Sequence, residues 1–240
     1  DPTYLRYFYA SKLNGKVDDL DLNIEEFVAK VNSDLVGKVV NLASRTAKFV
    51  QELGLATKYP DDGGLFAQGA AAGEAIAEAY ESCNYNLAMR LIMELADEAN
   101  PYVETHEPWK LRKDPARQDE LQNICTVAIN LFRQIIIYLS PVLPELVEKT
   151  ESLLGEQLNS WEQAKIPLTG SPVAKFNHML KRLEEKDLQT MIDETREEND
   201  AQADDVTESV ANPPAESTED KQELPETDDT AAESTVDHPY

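Results

Sequence analysis

The sequence contains 240 residues, of which 41% are hydrophobic, so the chain is long and apolar enough to build one or two domains with a core. The formal net charge is -24, which excludes indiscriminate nucleic-acid binding because that rests on neutralising phosphates, but leaves room for a local basic patch. Residues 197–240 contain fifteen Asp or Glu against one Lys, a net of -14, which leaves -10 on residues 1–196.

The sequence lacks the signatures of the common catalytic and metal-binding classes. No glycine-rich phosphate loop, serine elbow or metal-binding spacing occurs, so we expect no catalytic residue and no metal ligand in this chain. Cys83 and Cys125 form no CxxC pair, and we expect both to be small buried hydrophobic side chains. Without a signal peptide or an apolar run of about 18 residues, the chain is expected to be cytoplasmic with no membrane partner.

Hydrophobic spacing of the helical period recurs along the chain, and no strand alternation of useful length interrupts it. The composition of residues 197–240, rich in Pro, Glu, Asp, Ser, Thr and Ala, predicts a disordered acidic tail. The expected fold class is therefore all-α. In chain order the pattern predicts helices from residue 1 to 14, from 23 to about 53, over 65–82, from 86 to about 106, over 117–139, through 144–154 and from 176 to about 198. Pro101 is expected to interrupt or kink the fourth of these, and the apolar fifth is expected to be buried at the centre of a bundle.

The helix predicted from Asn23 to about Leu53 carries two different faces. At about 100° per residue, Val39, Ala43 and their apolar neighbours gather on one side. Lys38, Asn41, Arg45 and Lys48 fall within an arc of about 80° on the other side. Periodicity alone favours an ordinary solvated helix face, and the alternative is a basic, hydrogen-bonding surface for a ligand.

A second feature, some sixty residues downstream, gives the stripe a candidate partner. Pro108 and Trp109 lie at the end of a predicted helix, with Lys110, Arg112 and Lys113 close behind. A tryptophan among cations is typical of a surface that stacks a nucleobase and holds phosphates, although a tryptophan packed into the bundle would give the same pattern. If the two features meet, Asn41 can read a base edge, Arg45 a base or phosphate, and Trp109 can stack a base.

The residues that carry these features also carry a family resemblance. Val39-Val-Asn-Leu-Ala-Ser-Arg45, with Glu107-Pro-Trp109 downstream, resembles the anticodon-binding helical domain of bacterial methionyl-tRNA synthetases, which are class I aminoacyl-tRNA synthetases. Tyr4-Leu-Arg-Tyr-Phe-Tyr9, Ile129-Asn-Leu-Phe-Arg133 and Ser140-Pro-Val-Leu-Pro144 match in the same order, so the similarity covers about residues 1–195. It implies that Asn41, Arg45, Pro108 and Trp109 recognise the CAU anticodon of tRNA(Met). The cations around these residues are expected to make supporting phosphate contacts: Lys38, Lys48, Lys110, Arg112 and Lys113.

The same resemblance implies how the chain is organised. We expect an antiparallel bundle of the class I anticodon-binding type, with a connecting segment at 1–22, the bundle at 23–155, an extension with a final helix at 156–196 and the acidic tail at 197–240. The HIGH and KMSKS signatures of the family's catalytic domain are absent, so this chain is expected to be a non-catalytic piece of a longer polypeptide. ATP and Mg²⁺ are implied for that absent domain and zinc is left open, while homodimerisation would run through a missing C-terminal domain.

Two other interpretations remain open at this stage. The chain resembles in outline the anticodon domains of other class I synthetases, which charge tRNAs for different amino acids. It also has the composition of a non-catalytic helical scaffold whose acidic tail contacts basic partners.

Overall fold

The computed structural model describes residues 2–16, 19–186 and 188–190, and every regular element in them is helical. The prediction of an all-α fold is therefore confirmed. In chain order the elements are α1 (Pro2–Ala10), α2 (Ile24–Val31), a π-helical segment (Asn32–Val40), α3 (Asn41–Val50), α4 (Leu65–Glu81), α5 (Tyr85–His106), α6 (Pro108–Leu111), α7 (Gln118–Leu139) and α8 (Pro144–Leu154). Short 3-10 turns occupy Pro115–Arg117 and Trp161–Lys165.

Residues 24–50 form one continuous helical element, which we call the central rod. Asn23 caps its start by accepting a hydrogen bond from the backbone N–H of Glu26 at 2.9 Å. The predicted apolar stripe is buried along the rod, apart from Val36, which is half-buried. The π-helical segment in the middle of the rod was not predicted, and its wider turn means that a rotation of 100° per residue does not hold through it.

The rod, α4, α5 and α7 form an up-down-up-down bundle. Gln68 near the start of α4 donates to Glu98 near the end of α5, so these two helices are antiparallel. Gln122 near the start of α7 donates to the carbonyls of Leu53 and Gly54, just beyond the end of the rod. The rod and α5 are alternate members of the bundle and therefore run in the same direction.

Helix α7 is the buried centre of this arrangement, as its composition predicts. Every residue from Ile124 to Leu139 is buried, and α7 packs against α3, α4, α5 and α8. Its buried polar side chains are all hydrogen-bonded: Arg133 binds Glu156 through two bonds of 2.6 Å and also donates to the carbonyls of Gln163 and Ile166. These bonds fix the segment after α8 onto the bundle.

The helix predicted from Phe176 does not begin there. Residues 172–184 have no helical structure, and helical residues appear only from Glu185. The reason is that the backbone of this segment is paired elsewhere, with the Asn32 amide binding both the N–H and the carbonyl of Leu183 at 2.8 and 2.9 Å. The end of that predicted helix and the tail predicted at 197–240 lie outside the described residues, and the domain boundaries stay predictions.

Pro101 leaves its helix uninterrupted, and the expectation that Cys83 is buried was wrong. Pro101 does not interrupt α5, which is helical from Tyr85 to His106; the proline ring is exposed, while Ala99 and Val103 on either side are buried and hold the helix against the core. Cys83 is exposed and not buried, because it occupies the turn after α4 in a left-handed conformation with φ 56°. Cys125 is buried, as predicted.

Candidate nucleic-acid interface

Three polar pairs join the central rod to α5, and we call them the polar ladder. Lys38 Nζ lies 2.7 Å from Asp97 Oδ1, Asn41 Nδ2 donates to Asn100 Oδ1 at 3.2 Å, and Arg45 Nη1 binds Glu104 Oε1. Each pair has the same separation in sequence, so equivalent turns of two helices that run in the same direction face each other. The ladder thus brings the predicted stripe against α5.

The stripe is therefore not an ordinary solvated helix face. The Lys38 and Arg45 side chains are only 30% and 25% exposed, and each is paired with a carboxylate. Lys48 alone of the four is exposed and lies beyond the ladder. The stripe is therefore half-buried and mostly neutralised, with its outer edge open to solvent.

Arg45 is held on a second side by Trp109, so the two features identified in the sequence meet. The guanidinium carbon lies 4.4 Å from the centroid of the tryptophan ring, a cation–π contact. Glu107 ends α5 with φ 45°, and buried Pro108 then opens α6, which turns the half-buried Trp109 toward the rod. The bond from Arg45 also holds the pKa of the Glu104 carboxyl below its ordinary value.

Asn100 determines the orientation of Asn41. Its own amide N–H groups donate to the carbonyls of Ala96 at 2.8 Å and Lys38 at 3.2 Å, so its oxygen is left to accept from Asn41. Asn41 must then present its NH₂ group to Asn100, which leaves its Oδ1 and one N–H for another molecule. One acceptor and one donor on a fixed amide are the pattern needed to read a base edge.

The remaining predicted cations fall into two groups. Lys110 is exposed but paired with Glu107 at 2.6 Å. Lys48, Arg112 and Lys113 are also exposed, and none of them forms an ion pair with another described residue. Lys48 and Arg112 instead flank the half-buried ring of Phe49, with Nζ and Cζ 5.1 and 5.7 Å from its centroid.

The sequence predicted the rod side of this surface and missed the α5 side. Asp97, Asn100 and Glu104 were not singled out, nor was Phe49. A signal was present, because Asp97, Asn100 and Glu104 repeat the spacing of Lys38, Asn41 and Arg45, with an acid opposite each cation and an amide opposite an amide. Equal spacing shows that two helices can face each other only when it is already known that they run in the same direction.

Other kinds of site find little support in the described part of the chain. Residues 2–16, 19–186 and 188–190 contain no cluster of three or more His, Cys, Asp or Glu arranged to hold a metal ion. None of the helices described is both long and apolar enough to cross a membrane. The half-buried stripe and Trp109 therefore remain the strongest candidate site.

Comparison with known proteins identifies the class of domain to which this fold belongs. The chain belongs to the family of anticodon-binding domains of tRNA ligases, whose model matches residues 67–210. Residues 1–47 match the model of the class I (M) tRNA synthetases. Among individual proteins, the similarity is to methionine–tRNA ligases, which confirms the resemblance drawn from the sequence.

The methionine–tRNA ligase of Rhodopirellula baltica is 59% identical over 198 residues, which are 82% of this chain and 29% of that protein. Methionine–tRNA ligase 1 of Sorangium cellulosum is 54% identical over 203 residues, 85% of this chain and again 29% of its own length. The chain thus spans less than a third of these curated relatives. Mycobacterium tuberculosis methionyl-tRNA synthetase in complex with methionyl-adenylate shares the fold, with a TM-score of 0.68 at 24% identity over 75% of this chain and 37% of that one.

Proposed function

We propose that this chain reads the CAU anticodon of tRNA(Met) with Asn41, Arg45, Pro108 and Trp109. The observation that carries the proposal is the contact between the Arg45 guanidinium and the Trp109 ring, because it joins the two features that the sequence predicted separately. In this scheme one anticodon base stacks on the open part of Trp109, and Pro108 fixes the position of that ring. Asn41 and Arg45 bind base edges or the adjoining phosphate.

The ladder supports this scheme because it holds both polar side chains in place before RNA arrives. An arginine offers five N–H donors, so the bond to Glu104 leaves others available to a base. Asn41 is likewise held through one of its own N–H donors, and its Oδ1 acceptor stays available to a base. Pre-positioned groups lose less conformational entropy on binding, which favours affinity and selectivity together.

For the whole protein we propose the activity for which its relatives are named, which is the ligation of methionine to tRNA(Met), and we propose that it acts in the cytoplasm. ATP with Mg²⁺ would act in a catalytic domain that this chain does not include. The role of the present domain is to position the tRNA and to discriminate its anticodon. Homodimerisation through a further C-terminal domain stays a prediction from the resemblance.

The proposal is tested by measuring how the 240-residue chain binds tRNA(Met) and the same tRNA with its anticodon replaced, at one fixed moderate salt concentration. We expect the CAU form to bind more tightly, and Trp109→Ala to weaken its binding by about 1–3 kcal/mol because one stacked base is lost. Trp109→Phe should retain part of that affinity. Equal binding of the two tRNAs by the unmodified chain would contradict the proposed function.

Two further variants separate a binding role from a structural one. Arg45→Gln should reduce the preference for CAU while circular dichroism shows unchanged helix content. Trp161→Phe is the matched tryptophan control, because Trp161 packs on Tyr80 and Tyr138 and not on Arg45. A parallel loss of binding and helix content in Arg45→Gln would assign the residue to the fold.

A further inference from the structure

A second group of an aromatic ring and cations lies one helical turn beyond Arg45 and Trp109. Phe49 follows Arg45 by four residues on α3, and Arg112 follows Trp109 by three residues at the end of α6. The Arg112 Cζ and Lys48 Nζ atoms lie 5.7 and 5.1 Å from the centroid of the Phe49 ring. We call these three residues the Phe49 platform.

The platform differs from the polar ladder in its charge balance. Lys38 and Arg45 are each paired with a carboxylate of α5, whereas Lys48 and Arg112 form no ion pair with any other described residue. A cation without a carboxylate partner can take a phosphate without first breaking an ion pair. The strongest attraction for an RNA backbone therefore lies at the platform and not at the ladder.

The three platform residues line a cleft with a volume of about 260 Å³. Two carboxylates, Glu52 and Asp114, line the same cleft. The Asp114 carboxylate accepts a hydrogen bond from the backbone N–H of Ala116 at 3.0 Å, while Glu52 is exposed. These acids repel a phosphate from their own parts of the cleft, so a bound phosphate belongs between Lys48 and Arg112.

We propose that the Phe49 platform is a second nucleotide subsite, which binds the nucleotide next to the anticodon in the same RNA strand. Its base stacks on Phe49, and its phosphate lies between Lys48 and Arg112. The two rings are one helical turn of about 5.4 Å apart along α3 and α6, so neighbouring nucleotides of a strand with unstacked bases can occupy them. The inference rests on the proposed function, since the first base must occupy Trp109.

The competing explanation is that Arg112 only clamps α6 to α3 by covering Phe49. The two explanations differ in their salt dependence. Each phosphate contact to a single strand contributes about -0.7 to the slope of log K against log salt. A clamp contributes nothing to that slope, whereas a phosphate site does.

The first experiment measures this slope for the full chain and an anticodon stem-loop that carries CAU. We expect Lys48→Gln and Arg112→Gln each to weaken binding and to reduce the size of the slope, by about 0.7 when both are changed, because the two cations share one phosphate. Glu52→Gln should strengthen binding, because it removes a repelling charge. The control is Lys175→Gln, which changes an exposed lysine in the segment after α8 and should leave the slope unchanged. Unchanged slopes in both platform variants would overturn the subsite.

The second experiment locates the base without relying on the stability of a variant. Abasic nucleotides are placed one at a time at the loop positions that flank CAU, and binding to the unmodified chain is measured. One flanking position should lose roughly 5- to 150-fold in affinity, as expected for one stacked base. In Phe49→Leu the same abasic substitution should have almost no further effect, because the ring is already gone.

The outcomes separate the subsite from the proposed function. If the chain prefers CAU but no flanking position depends on Phe49, the subsite is wrong and the proposed function stands. If the chain shows no preference for CAU, the proposed function is wrong, and the subsite fails with it because no anticodon base then occupies Trp109. Melting temperatures of each variant, matched to the unmodified chain, show that the fold is intact.

Discussion

Arg45 shows how one side chain can be shared between stability and recognition. Its guanidinium is bound by Glu104 and lies over the ring of Trp109. Because Glu104 is exposed and solvent screens the ion pair, the contribution of this pair to folding is small. Its main consequence is geometric, because the two contacts leave the guanidinium few orientations.

The two cysteines give a prediction at the same scale. Burial raises the pKa of the Cys125 thiol to about 12, so at a pH of about 8 almost none of it is thiolate. Cys83 is exposed in the turn after α4. Since the thiolate is the reactive form, we expect a thiol reagent to label one cysteine rapidly in the native chain and both after denaturation.

The matched variant is Cys83→Ser, which should remove the rapid phase and leave only slow labelling governed by opening of the fold. Two rapid phases in the native chain would show that α7 is not packed as described. Neither result depends on RNA binding, so this measurement tests the fold alone.

Some residues of the candidate site could be predicted from the local sequence, whereas the role of others depends on contacts between distant parts of the chain. Asn41, Arg45 and Trp109 were predictable because helical rotation and turn residues are local properties of the sequence. Asn100 and Glu104 were not, because their role depends on which helix lies beside the rod. The same limit explains the segment after Phe176, where the helical spacing is real but the backbone of Leu183 binds Asn32 instead.

At the scale of elements, the π-helical segment of the rod is where several tertiary contacts converge. Asp34 is buried in it and accepts hydrogen bonds from the Tyr7 hydroxyl at 2.6 Å and from Lys30 at 2.9 Å. Asn32, its first residue, binds the backbone of Leu183. The segment thus anchors α1 and the C-terminal extension immediately before the rod reaches Asn41.

The Tyr7–Asp34 pair is a test of that anchoring. Tyr7 is 0% exposed, and burial raises its pKa above the ordinary value, with the Asp34 carboxylate as a further cause. Asp34→Ala leaves the Tyr7 hydroxyl buried without its acceptor, so we expect the free energy of unfolding to fall by about 1–3 kcal/mol. Urea denaturation followed by circular dichroism provides the measurement.

A double-mutant cycle makes the prediction specific to the pair. Combining Tyr7→Phe with Asp34→Ala should cost less than the sum of the two single changes, because each removes the same hydrogen bond. Glu25→Ala, at an exposed position in the first turn of α2, is the control and should change stability by no more than about 0.5 kcal/mol. Additive losses would mean that Tyr7 and Asp34 act independently.

At the scale of the molecule, the scaffold is apolar and the recognition surface is polar and local. Helix α7 contacts the rod, α4, α5 and α8, and its buried Arg133 holds the segment that follows α8. Because the bundle is fixed from within, its outer face can carry a few cations in a chain whose net charge is -24. Such a domain should bind RNA through specific contacts and gain little from long-range attraction.

The acidic residues at 197–240 offer a test of how long-range electrostatics affect RNA binding by the whole chain. They carry a net charge of -14, which repels RNA. Deleting them should increase the association rate with tRNA(Met) several-fold at low ionic strength. The effect should vanish near 1 M salt, where the Debye length is about 3 Å. Stopped-flow fluorescence with labelled tRNA measures the association rates at low and at high salt.

A tail of equal length with Asn and Gln in place of Asp and Glu should behave like the deletion, because charge is the cause. If that neutral tail instead slows association as much as the native one, the effect is steric and the electrostatic explanation is wrong.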